Sequence, residues 1–193
     1  MGEKGLHDIK NSCAILFRQK RLRELRFQIR PSCKIHQIVP VLDSIAYTPP
    51  LANKEHVAYA LLELINNSLR AHREKSIPAP ISLRIRSTGS ALHIEVRDEG
   101  GGFDPKSLPY DIFKGDIPDN FNADPFLQYR KFYENKRFGM GLVLARRVFH
   151  RFNLQFVDAQ GNPRPWGDPS IVGTHIQADW EITPAAKEGV EHV

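Results

Sequence analysis

Residues 53–74 carry the longest periodic pattern in the chain, and two alternating strand patterns follow it directly. Val57, Leu61, Leu62, Leu64, Ile65 and Leu69 recur with the 3.6-residue period of a helix that packs one broad apolar face on a core. Basic residues Arg70, His72, Arg73 and Lys75 complement the dipole at its end, and Pro78 and Pro80 stop it. Ile81-Leu83-Ile85 and Leu92-Ile94-Val96 then alternate, with Thr88-Gly89-Ser90 between them as a hairpin turn. A long helix feeding a hairpin, without regular βαβ alternation, predicts an α+β, two-layer sandwich with helices on one face of the sheet.

The remaining patterns fit around this pair. Residues 6–25 read as a helix with Ile9, Cys13, Leu16 and Phe17 on one stripe, and Leu25–Ile29 alternates as a strand that ends before Pro31. Ser32 is placed to cap a helix carrying Ile35, Ile38, Val39, Leu42 and Ile45, which Pro49-Pro50 closes. From Asp104 to Phe138 runs a long stretch with four prolines and no sustained period. A segment of that length inside a compact domain is uncommon unless it is a functional lid or disordered. A helix over 142–152, a strand at Leu154–Phe156, a turn-rich insert over 161–169 and a last alternating strand over 172–180 complete the chain.

Composition limits the function classes. With 41% hydrophobic and 25% charged residues, the 193-residue chain suits one domain with a core and a short extension. No window approaches eighteen consecutive apolar residues, and the start opens no secretory apolar run, so a soluble, cytoplasmic protein is expected. Cys13 and Cys33 lie far apart, without metal-binding spacing, as idle thiols of a reducing compartment. The net charge of +5 concentrates between Arg18 and Arg30. A solvated or partner-facing helix accounts for that cluster as well as DNA does, and no nucleic-acid partner is expected.

Four short motifs carry chemistry. Glu63, Asn67 and Arg70 fall at i, i+4 and i+7 along the margin of the long helix. A carboxamide oxygen is a suitable hard ligand for Mg2+, which takes its remaining ligands from water and phosphate. A carboxylate one turn away can deprotonate a nucleophile beside the terminal phosphate. Asp98-x-Gly100-x-Gly102 stands at a strand end, where the carboxylate can accept from an exocyclic amine and the glycines let backbone approach a flat ring. Gly139-Met140-Gly141-Leu142 opens a helix whose N-terminus attracts phosphate, and it is neither a Walker A loop nor a Rossmann fingerprint. Gly173-Thr174 opens the last strand.

In this order and spacing the four motifs resemble the N, G1, G2 and G3 boxes of the GHKL superfamily of histidine-kinase-like ATPases, over roughly residues 27–182. The resemblance implies the Bergerat ATP-binding fold, with a mixed sheet, helices on one face and a long ATP lid. It implies residues 1–26 as an N-terminal helical extension, 27–183 as the ATP-binding domain and 184–193 as a tail. It further implies that Asn67 coordinates Mg2+, with Asn66 as its rival, and that Asp98 holds the adenine amine in a pocket shaped by Gly100 and Gly102. Gly139, Gly141 and the amide of Leu142 would meet the phosphates, Arg70 would reach one of them, and Thr174 would join Asp98 through water. Arg130, Lys131, Lys136 and Arg137 in the lid are further phosphate candidates.

Within the superfamily, Glu63-Leu-x-x-Asn67-Ser68 is similar to the N box of stand-alone serine kinases of the anti-sigma-factor type, whose general base stands at Glu63. That likeness implies transfer of the γ-phosphate to a protein partner such as a sigma factor, its antagonist or a response regulator, in a homodimeric signalling protein. Two alternatives stay open. Leu6-His7-Asp8-Ile9-Lys10-Asn11 resembles an H box with His7 as phosphoacceptor of a histidine kinase, although Ser12 stands where Pro is usual. The third reading is a non-catalytic, ATP-dependent interaction switch.

Overall fold

A computed structural model describes residues 13–48, 50–51, 53–114, 120–134 and 140–181. The chain forms β1 (Ala14–Phe17), β2 (Lys20–Leu22), β3 (Glu24–Ile29), α1 (Ile35–Asp43), β4 (Ala46–Thr48), α2 (Lys54–Glu74), β5 (Ile81–Thr88) and β6 (Ala91–Asp98). A 3-10 turn (Pro105–Ser107), α3 (Asp124–Phe132), α4 (Gly141–Val148), β7 (Arg151–Val157), β8 (Pro163–Arg164) and β9 (Gly173–Glu181) follow.

The expected α+β sandwich is present. Six strands form one sheet in the order β3-β5-β6-β9-β7-β8, and each pairing in it is antiparallel, which narrows the mixed sheet anticipated above. Strand alternation decides which side is buried: Ile81, Leu83 and Ile85 of β5 and Leu92, Ile94 and Val96 of β6 are at most 1% exposed, while their neighbours face outward. Helix α2 covers that buried face with Val57, Leu61, Leu64, Ile65 and Leu69, and α4 packs beside it through Val143 and Ala145. Burial of each such large aliphatic side chain contributes about 1.5–3 kcal/mol.

Helix α2 ends where it must to aim the chain into β5. The N–H of Ile77 bonds to the carbonyl of His72 and that of Ser76 to Arg73, with Ser76 at φ 54°. This is a Schellman stop with serine where glycine is usual.

The N-terminal segment departs from expectation. Residues 6–25 were expected to be helical, as part of a helical extension over 1–26, yet Ala14–Phe17 and Lys20–Leu22 pair as an antiparallel hairpin. Residues 1–12 lie outside the described residues. Arg18 and Gln19 turn the hairpin with φ of 48° and 65°, the two-residue turn that matches strand twist but normally takes Asn-Gly. Ile15, absent from the expected helical stripe, is fully buried. Strand β4, which has only three residues and no turn signal before it, completes a second sheet, β2-β1-β4.

The lid stretch also holds more structure than its sequence suggests. Helix α3 buries Phe126, which stacks on Tyr110 at 5.9 Å and meets Phe121 edge-on at 5.3 Å. Arg146 of α4 donates to the carbonyl of Ile112, tying this small aromatic core to the main one.

Candidate functional site

Three hydrogen bonds converge on Asp98, the last residue of β6. Alternation with Val96 turns its side chain to the helical face, where it is 6% exposed. Oδ2 accepts from Ser68 Oγ at 2.8 Å and from Thr174 Oγ1 at 2.6 Å, while Oδ1 accepts from the Gly100 N–H at 2.8 Å. Each carboxylate oxygen has two lone-pair positions, so Oδ1 retains one acceptor site beyond these bonds. Thr174 reaches Asp98 directly rather than through water, because the two are register partners in β6 and β9. Gly173 is needed for that crossing: a Cβ there would lie 1.8 Å from the Asp98 carbonyl oxygen.

Ser68 is the member of this cluster that sequence reasoning passes over. It follows Asn67 by one residue, so it projects about 100° further round α2, toward the sheet. Its burial among apolar neighbours is the signal, since a buried hydroxyl requires a partner.

The turn after Asp98 is held from the other side by the end of α2. Lys75 Nζ donates to the carbonyls of Gly100 at 2.6 Å and Gly102 at 3.4 Å. His72, fully buried, accepts the Glu99 N–H at Nε2 and faces the Ala79 carbonyl with Nδ1, each at 3.0 Å. Those partners require the neutral tautomer with its proton on Nδ1. The basic residues that look like dipole partners in the sequence are thus used to fix a loop.

A cavity of about 590 Å³ opens between α2, this turn, α3 and the start of α4. Asn67, Arg70, Asp98, Gly100, Gly102 and Thr174 all line it, as do Glu63, Gly141 and Leu142. Two ends can be told apart. At one, the buried Asp98 acceptor, Leu154 and Ile176 offer a polar point on an apolar wall, which suits an aromatic base carrying an amine. At the other, α4 begins at Gly141 with no side-chain cap, so its first N–H groups lack helical partners. The open helix start is suited to phosphate.

Glu63 and Asn67 meet that helix start. A Cβ on Gly141 would stand 2.5 Å from Glu63 Oε2 and 3.3 Å from Asn67 Nδ2, so a side chain there would push the Glu63 carboxylate aside. Arg70 Nη2 donates to Asn67 Oδ1 at 2.8 Å. That bond fixes the carboxamide with its oxygen toward the guanidinium and leaves a second lone pair on the oxygen. Asn66 also lines the cavity, without the i+4 relation to Glu63. The negative charge of Glu63, one turn further along α2, raises the Tyr59 phenol above its ordinary range, and burial adds to the shift. In the lid, Arg130 donates to the Phe121 carbonyl at 3.0 Å and lies 3.9 Å from Met140 Sδ, while Lys131 is exposed. Gly139, Lys136, Arg137 and His7 lie outside the described residues.

Residues 30–163, more than two thirds of the chain, match the family described as the histidine kinase-like ATPase domain. The chain belongs to this family. No curated protein matches it. The histidine kinase-like ATPase domain is an ATP-binding domain, and most of the lining of the cavity described above falls within the matched span, with Thr174 and Ile176 of β9 beyond it. Strands β1–β3 precede the matched span, and β9 with Thr174 follows it. Among the described residues no helix is long and apolar enough to cross a membrane, and no three His, Cys, Asp or Glu side chains cluster to hold a metal. A cation at Asn67 would therefore draw most of its ligands from phosphate and water, which is how Mg2+ is usually held beside a nucleotide.

Proposed function

We propose that this domain transfers the γ-phosphate of Mg-ATP to a hydroxyl group of a protein partner, as a signalling kinase of the serine type. The observation that carries this reading is the position of Glu63, whose carboxylate stands against the glycine that opens α4, one turn from Asn67. Adenine would give its amine to Asp98, with Ser68 and Thr174 keeping that carboxylate fixed as an acceptor. The phosphates would run toward Gly141 and Leu142, and Arg70 would hold the Asn67 carboxamide and reach a phosphate. Mg2+ bound at Asn67 would neutralise charge on the phosphates. Glu63 takes the proton of the attacking hydroxyl while the bond from that oxygen to phosphorus forms and the bond to the ADP leaving oxygen breaks.

The strands of the N-terminal segment count against a phosphotransfer hairpin built around His7. From Ala14 to Ile29 the chain forms β1, β2 and β3, so a two-helix phosphotransfer hairpin has no place in that stretch. Incubation with Mg-ATP labelled in its γ-phosphate tests the reading, alone and with candidate partners. Acid-stable label on a partner, lost in Glu63→Ala, is the expected result. Acid-labile label lost in His7→Ala would replace it with a histidine kinase, and ATP binding with neither label would replace it with an interaction switch.

A further inference from the structure

The turn at the base end of the cavity presents carbonyls as well as N–H groups. Gly101 and Gly102 take φ of 71° and 68°, so the chain reverses there and the carbonyls of Gly100 and Gly102 turn to one donor, Lys75 Nζ. Lys75, Gly100, Gly102 and Asp98 all line the cavity. The fold places this lysine: it caps α2 with its N–H on the Ala71 carbonyl, and His72, one turn back, holds the Glu99 N–H. An ammonium carries three donors and no acceptor, so it occupies both carbonyls and adds positive charge to the loop.

Purines differ at the atoms this loop would meet. Adenine brings an amine at C6 and an acceptor at N1, whereas guanine brings the acceptor O6 and donors at N1 and C2. Asp98 disfavours O6, yet bare carbonyls at Gly100 and Gly102 would compensate guanine by accepting its N1–H and 2-amine. We propose that Lys75 determines base selectivity, masking the loop carbonyls and setting positive charge toward N1, so that the site takes adenine and refuses guanine. The proposal rests on the reading that the base of the nucleotide lies at Asp98, and it involves no step of phosphate transfer.

Calorimetry of the full chain with ATP and with GTP tests it. Wild type is expected to bind ATP at least about hundredfold more tightly than GTP. In Lys75→Met, which keeps an apolar stem and removes the charge, ATP affinity falls and GTP affinity rises. The ratio then drops by at least about tenfold. The rise for GTP is the decisive reading, because mere loosening of the loop weakens both nucleotides alike. Arg73→Met loses bonds to the Pro31 and Cys33 carbonyls at the same helix end and keeps the ratio. Equal weakening of both nucleotides in Lys75→Met, unchanged GTP affinity, an equal shift in Arg73→Met, or a wild type without preference would overturn the proposal. Should Lys75→Met lose its fold by circular dichroism, Lys75→Ala carries the same expectation. Asp98→Asn separates the two claims. Unchanged ATP affinity in that variant sinks the placement of the base, whereas weakened ATP binding there with an unmoved ratio in Lys75→Met sinks the role of Lys75 alone.

Discussion

Ser68 Oγ donates to Asp98 Oδ2 at 2.8 Å across the interface between helix α2 and strand β6, and both side chains are buried. This bond joins the residue after the proposed metal ligand to the residue proposed to hold the base, so the two ends of the cavity are fixed together. Removal of the hydroxyl in Ser68→Ala leaves the carboxylate one donor short in a buried place, at a cost of about 1.5–3 kcal/mol. Chemical denaturation will show that loss, and ATP affinity measured by calorimetry will fall with it by about tenfold.

Gly141 stands between Glu63 and the phosphate end of the cavity. A methyl group there would displace Glu63 Oε2, which stands 2.5 Å from the position it would occupy, while Asp98 and its partners are untouched. In Gly141→Ala the rate of phosphate transfer at saturating ATP should fall by at least about tenfold, and ATP affinity, to which the phosphate end of the cavity contributes, should fall by less. Single-turnover kinetics with labelled ATP distinguishes the two effects.

The Tyr59 phenol is raised first by the charge of Glu63 and then by burial. Loss of that charge in Glu63→Gln therefore lowers the Tyr59 titration toward its ordinary value of about 10. Ultraviolet difference titration of wild type, Glu63→Gln and Tyr59→Phe isolates this one phenol among the tyrosines. A Tyr59 titration that stays in place after Glu63→Gln would remove the pairing.

Asp158 anchors the insert that follows β7. Burial pushes its carboxyl up, but bonds from the Asn162 backbone, the Arg164 guanidinium and the Asn162 side chain outweigh it and hold the pKa down to about 2. The carboxyl is lowered relative to the unfolded chain, so its stabilising effect is present above about pH 4 and is lost as pH falls toward about 2. Asp158→Asn should lower Tm at neutral pH and flatten its dependence between those values. Trp166, 5.0 Å from Phe156, reports the insert by fluorescence.

Much of this architecture is legible in the sequence because burial imposes period. The apolar face of α2 and the alternation of β5, β6 and β9 place Asn67, Asp98 and Thr174 where the structure has them. The β1–β2 hairpin is not legible, since its turn uses Arg18 and Gln19 at positive φ rather than Asn-Gly. Helix α3 is short and held by aromatic contacts with Tyr110 and Phe121, which no local period records. Ser68 is hidden for a different reason: a serine inside a helix shows its value only once Asp98 is packed against it.

ATP affinity of Asp98→Asn is the most direct test of the site. The account predicts that the variant, its fold checked by circular dichroism, binds ATP at least about thirtyfold more weakly in calorimetry, since an acceptor facing the adenine amine becomes in part a donor. Unchanged affinity would contradict the placement of the base at Asp98, and with it the orientation of the nucleotide in the cavity.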